Sequence, residues 1–328
     1  MPRVSPDPLT RLYCWRVDRR PGSRAWGRNS RVIRLALTCL ACCCLWASSG
    51  CAPLELPARL PSQTVFSQSN LLIHSDFALL PGHRLLDQLP ARKSELATAL
   101  GLELAAEPIA VYLFADEATF ARYARQNLPG FAGRRALFVK TDTRLMVLAH
   151  WQDQLGEDLR HELTHAYLHA TLPWLPLWLD EGLAEYFELA PQAKSLHARH
   201  VYHLAQEFKA GRWQPGLERL ENFQDPSQFQ ETQYAESWLW VDFLLSTTPE
   251  RLQLFQNYAA ELRNSSSPQP ELSTRMGSSR AAWELAILDH LKELATELQG
   301  SREEPASADR LGLPAGHSAA EPSNVAGR

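Results

Sequence analysis

His161-Glu162-Leu163-Thr164-His165 sets two imidazoles four residues apart, with a carboxylate directly after the first. On an α-helix, residues four apart lie one above the other on the same face, so both imidazoles reach one ion. Glu162 is then held where it can take a proton from a metal-bound water. The chemistry is metal-assisted hydrolysis, and zinc is the expected ion. The flanks favour a helix: Glu157 and Asp158 put negative charge into its first turn, and Pro173 ends it after Ala170. Five residues of this pattern recur by chance in many chains, so the pattern needs a partner.

Zinc held by two histidines needs a third protein ligand, leaving one position for water. After the break Leu172-Pro173-Trp174-Leu175-Pro176 comes Leu177-Trp178-Leu179-Asp180-Glu181-Gly182-Leu183-Ala184-Glu185-Tyr186-Phe187. Glu181 supplies the third ligand. Glu185, one turn later, is expected to accept a hydrogen bond from the far nitrogen of a ligating histidine and so fix its tautomer. The expected site is one Zn2+ ion on His161, His165 and Glu181, with Glu162 as general base.

Paired in this way, His161–His165 and Trp178–Tyr186 resemble the gluzincin metallopeptidases, the group that includes thermolysin and alanyl aminopeptidase. The resemblance is closest to bacterial peptidase MA-like lipoproteins and exported proteins; it covers about residues 66–250, with its sharp motifs within 161–187. It implies an α+β, zincin-like fold in which a small mixed sheet packs on the HExxH helix and a mainly helical C-terminal half follows. It also implies a polypeptide substrate and a downstream tyrosine that stabilises the oxyanion. Tyr234 matches that role, with Tyr202 and Tyr167 as rivals. The strand at Arg144–Ala149 corresponds to the edge strand with which gluzincins pair an extended substrate. Two departures limit the transfer of substrate preference. Fifteen residues separate His165 from Glu181, fewer than in the best-known gluzincins. Leu145-Met146-Val147-Leu148 also lacks the Glu-Asn of alanyl-type aminopeptidases, which argues against an aminopeptidase of that type; a metalloendopeptidase is the expectation.

Other histidines carry less. His197, His200 and His203 recur at intervals of three and could bind a metal, but with no nearby carboxylate pattern to complete the set they read as a solvated or amphipathic face; His169 is placed for a cation at its helix end. Trp174, Trp178, Trp238 and Trp240 read as core or cleft wall.

The elements that must position these residues follow from periodicity. Strands are expected at Asn70–His74 and Ile109–Phe114, and a hairpin at Arg135–Val139 and Arg144–His150. Helices are expected at His83–Leu100 with a kink at Pro90, then at Asp116–Gln126, Glu157–Ala170 and Asp180–Leu189. Beyond Pro191 the pattern is helical, at Ala193–Ala210, Tyr234–Leu245, Pro249–Leu262 and Arg280–Leu298. The expected organisation is a proline-rich tether over 51–64, a zincin-like catalytic half over 65–190, a helical half of the same unit over 191–298, and a Gly/Pro/Ala/Ser-rich tail over 299–328.

Residues 1–50 differ from the rest. Nine arginines against Asp7 and Asp18 precede an uncharged apolar run, Leu35–Trp46, and then Ala47-Ser48-Ser49-Gly50-Cys51. This is the anatomy of a secretory signal. Small residues before Cys51 resemble the bacterial lipobox, although Ser48 stands where leucine is usual. An ordinary signal peptide is the alternative. Lipid on Cys51 would anchor the protein to a membrane at the bacterial envelope without a transmembrane helix.

All six cysteines lie at or before Cys51, so the domain beyond must rely on its core rather than on disulfides. Removing nine basic and two acidic residues from totals of 33 and 37 leaves 24 and 35, a net charge of −11 for residues 51–328. That balance disfavours nucleic acid as a partner. A non-catalytic lipoprotein using the scaffold to bind a peptide or assembly partner is the second functional expectation.

Overall fold

The computed structural model describes residues 13–14, 57–131, 133–189, 197–277 and 279–303. Apart from Tyr13–Cys14, the proposed signal segment lies outside them, as do Cys51 and the tail beyond 303.

The fold is α+β. Five strands form a mixed sheet: β2 (Thr64–Gln68), β3 (Leu71–Ser75), β4 (Ile109–Phe114), β5 (Ala136–Lys140) and β6 (Leu145–His150). A two-residue strand, β1 (Tyr13–Cys14), pairs with Val139 and Lys140 of β5, so the segment expected to stay out of the fold touches it there. The order is β1-β5-β6-β4-β3-β2, with β3, β4 and β6 parallel and the outer pairs antiparallel. Strand β6, expected at an edge, is therefore interior, flanked by β4 and β5. The short turn Thr141-Asp142-Thr143 folds β5 back outside β6 and takes the edge position. The tether also ends earlier than expected, since Thr64 already belongs to β2.

The parallel connections carry helices, as crossover geometry requires. The first crossover holds α1 (Arg84–Asp87) and α2 (Leu89–Leu100), broken at Gln88 with Pro90 in the first turn of α2. The second holds α3 (Glu117–Asn127), capped by the Asp116 side chain on the Thr119 N–H. Both faces of the sheet are covered. Ile73, Val111, Phe138 and Val147 face the main core, whereas Tyr112, Phe114, Leu137 and Leu148 pack with Phe120 of α3 in a smaller one. This explains why β4 and β6 read as near-continuous apolar runs.

Helix α4 (Leu155–Thr171) packs on the main-core face of β5 and β6, and α5 (Leu177–Glu188) packs on α4 after a five-residue connection bounded by prolines. The helical half contains α6 (Ala198–Lys209), α7 (Leu217–Glu221), α8 (Glu231–Ser246), α9 (Pro249–Asn264) and α10 (Arg280–Glu303). The two halves share one core. At Gly182 of α5 a Cβ would lie 2.6 Å from the Ser237 carbonyl oxygen of α8, so only glycine permits this helix crossing.

Candidate metal centre

Helices α4 and α5 meet along faces that carry charge where a core would carry leucine. His161, Glu162 and His165 on α4 are buried, as are Asp180, Glu181, Glu185 and Glu188 on α5. Glu181, Glu185 and Glu188 follow at i, i+4 and i+7, one stripe of α5. Burying such groups is expensive unless each is paired or neutralised.

The expected ligands converge. His161 Nε2 and His165 Nε2 are 3.2 Å apart, and Glu181 Oε2 lies 3.9 Å from each. Bonds of about 2.0–2.2 Å to a tetrahedral ion would place ligand atoms roughly 3.3 Å apart, so a small contraction closes the cluster around one ion. Both carboxylate oxygens of Glu181 are buried and make no hydrogen bond. Burial pushes its carboxyl up to about 8, against the pull of His165 and His161. The donor set of two imidazoles and one carboxylate fits a zinc-class ion.

The groups behind the ligands differ from the expected one. His161 Nδ1 is hydrogen-bonded to Glu188 Oε2 at 3.0 Å, and His165 Nδ1 to Asp180 Oδ1 at 2.7 Å. The orienting role expected of Glu185 thus falls to Glu188 and Asp180, since three further residues along α5 complete the turn that faces His161. Asp180 also accepts from His169 Nε2 at 2.8 Å, so His169 joins the cluster instead of serving only as a helix-end cation. Burial would raise the Asp180 carboxyl, but His165 and His169 outweigh it and hold it well below the ordinary range. Burial would lower His161, but the hydrogen bond and charge of Glu188 outweigh it and take the imidazole up to about 10. The same contest, settled by Asp180, raises His165.

Glu162 is buried with Oε2 free of hydrogen bonds, and burial raises its carboxyl despite the neighbouring histidines. That moves it toward the range a general base needs near neutrality. Phe138 of β5 lies over the cluster, its ring 6.4 Å from His165 and 5.4 Å from His169.

Glu185 instead faces α6. It accepts from His200 Nε2 at 2.8 Å, and His197 Nε2 lies 3.6 Å from the same oxygen. His197 and His200 are buried, contrary to the solvated face expected; only His203, bonded to Thr232, keeps a half-exposed position. Tyr234 stands on the first turn of α8 with its ring edge-on to Phe229, and Tyr202 lies on α6. Tyr167 is withdrawn from candidacy: its hydroxyl donates to Asn70 Oδ1 at 3.2 Å, beside the start of β3.

Sequence reasoning missed Asp180, Glu188, His169, His197 and His200. Glu188 was detectable as the i+7 member of the acidic stripe that begins at Glu181. Asp180 stands inside the quoted motif. No family model matches the chain, and no curated protein matches it significantly.

Proposed function

We propose that the chain is a zinc metallopeptidase of the gluzincin type, with a zincin-like arrangement of sheet and helices. One observation carries the proposal: three buried ligand atoms converge on a point where both Glu181 oxygens have no hydrogen bond. His161, His165 and Glu181 would hold the ion, which when bound supplies an acidified water and polarises the scissile carbonyl.

The chain's own groups do the rest. Glu162 takes the water's proton on its carboxylate and returns it to the leaving amine. Asp180 and Glu188 hold the two imidazoles with their Nε2 atoms presented to the ion. With Tyr167 committed to Asn70, Tyr234 is the leading donor to the developing oxyanion and Tyr202 the rival. Strand β5, the antiparallel strand beside α4, replaces the interior β6 as the edge on which an extended peptide would pair. Its Ala136–Phe138 portion lies outside the β1 pairing at Val139 and Lys140.

The setting is proposed to be the bacterial envelope, through the signal segment and lipid on Cys51. No described helix is long and apolar enough to cross a membrane. The test combines metal analysis with cleavage of a proteome-derived peptide library by the wild type and Glu162→Gln. Bound zinc with Glu162-dependent cleavage supports the reading. Zinc with no cleavage by either protein would move it to the non-catalytic binder, and absence of zinc at neutral pH would end it.

A further inference from the structure

The α6 side of α5 carries a second set of ligand groups that the hydrolytic reading does not use. His197 and His200, three residues apart at the start of α6, stack with ring centroids 3.7 Å apart and planes 22° from parallel. Both Nε2 atoms are turned toward Glu185 Oε2, at 3.6 and 2.8 Å. Glu188 Oε1 lies 2.8 Å from His197 Nε2, while the other oxygen of the same carboxylate binds His161. All four side chains are buried, and none is more than 8% exposed.

The convergence of these atoms bears on what the arrangement can hold. If both imidazoles were protonated, two cations would be stacked at 3.7 Å in a buried site, which is repulsive. Both Nε2 atoms instead converge on one carboxylate oxygen, and Glu185, His197 and His200 offer ligand atoms that all lie within 4.8 Å of one another. One divalent cation at that point would take a lone pair from each imidazole and an oxygen from the Glu185 carboxylate.

We infer that His197, His200 and Glu185, completed by Glu188, form a second site for a zinc-class divalent ion beside the first. Its ligand spacings, 2.8 to 3.6 Å, overlap the 3.2 to 3.9 Å of the first cluster, and two imidazoles with carboxylate oxygens are the donors such ions favour. Glu188 links the two sites, with one oxygen orienting His161 and the other facing the second ion. The second site goes beyond the hydrolytic reading and stands on different side chains.

The test is metal stoichiometry on the full chain, stripped with chelator and reconstituted with Zn2+, then with Co2+ for its visible spectrum. The expected result is two ions per chain in the wild type and one in each of His200→Ala, His197→Gln and Glu181→Ala. One ion in the wild type, lost in Glu181→Ala and kept in His200→Ala, overturns the second site and leaves the first. One ion lost in His200→Ala and kept in Glu181→Ala upholds the second site and overturns the hydrolytic reading. No ion overturns both. The wild-type count decides even if a variant fails to fold, and circular dichroism identifies such a variant.

Discussion

One helix, α5, serves two clusters of the same residue types, and they are built to different standards. Toward α4, each imidazole is fixed from behind: His161 by Glu188 and His165 by Asp180, which is itself fixed by His169. Toward α6, His200 Nδ1 is buried with no hydrogen-bond partner. Groups that hold a ligand's far nitrogen typically contribute 10–100-fold in metal affinity. A cluster anchored in this way is set before the ion arrives, and the other must be organised partly by the ion itself. The lesson is that ligand identity alone does not rank two sites; the contacts behind the ligands do.

The largest expected effect tests whether the anchored cluster is the one that does chemistry. Glu162→Gln should lower kcat by about 10²–10⁴-fold and leave metal content unchanged, by peptide cleavage and elemental analysis. Retention of full activity would remove Glu162 as the base. Next comes the anchor itself. Asp180→Asn should weaken zinc binding at the first cluster by about 10–100-fold, measured by competition with a chromophoric chelator, with cleavage recovered at saturating zinc. If affinity did not change, preorganisation would not be what separates the two clusters.

The same competition on the wild type should show two steps, the weaker ion leaving first. In His200→Ala only the tighter step should remain.

A pH series sharpens the contrast further. In the metal-free state His161 is raised to about 10 and Glu181 to about 8, so near neutrality both carry protons. Zinc must displace them, so affinity rises with pH toward those values and falls on acidification, by about tenfold per unit for each proton displaced. Titration calorimetry in buffers of different ionisation heat reads the proton release directly. Binding to the first cluster without release would contradict the assigned ligands. The smallest effect concerns the shared helix. Gly182→Ala should destabilise the fold by about 1–3 kcal/mol, seen in thermal unfolding, because the added carbon meets the Ser237 carbonyl.

Much of this was legible in the chain. The i, i+4 spacing of His161 and His165 and the acid of the following helix marked the ligands, because helical periodicity converts spacing into direction. The termini of β4 and the start of α3 within a residue of Asp116 followed from equally local chemistry. What could not be read was which way the third dimension folds a hairpin or turns a stripe. Strand β6 was expected at an edge from the resemblance alone, and alternation and turn residues do not say on which side β5 returns. Glu185 and Glu188 are both acids on one face of α5, and only the approach of α6 decides which one meets His161. His197 and His200 looked solvated because their burial depends on Trp238, far away in sequence, and on how α6 folds back against Glu185 and Glu188.

The crossing at Gly182 has a consequence for when the protein can acquire metal. Glu181 is held in place by α8, whose Ser237 lies 55 residues further along the chain than Gly182. A nascent chain therefore has both histidines long before it has a rigid third candidate ligand. Tight loading must wait until the segment through α8 has emerged and docked. On the proposed metal reading, the ion bound would be set by the metals available in the compartment where the complete chain folds, whatever surrounded its first helices.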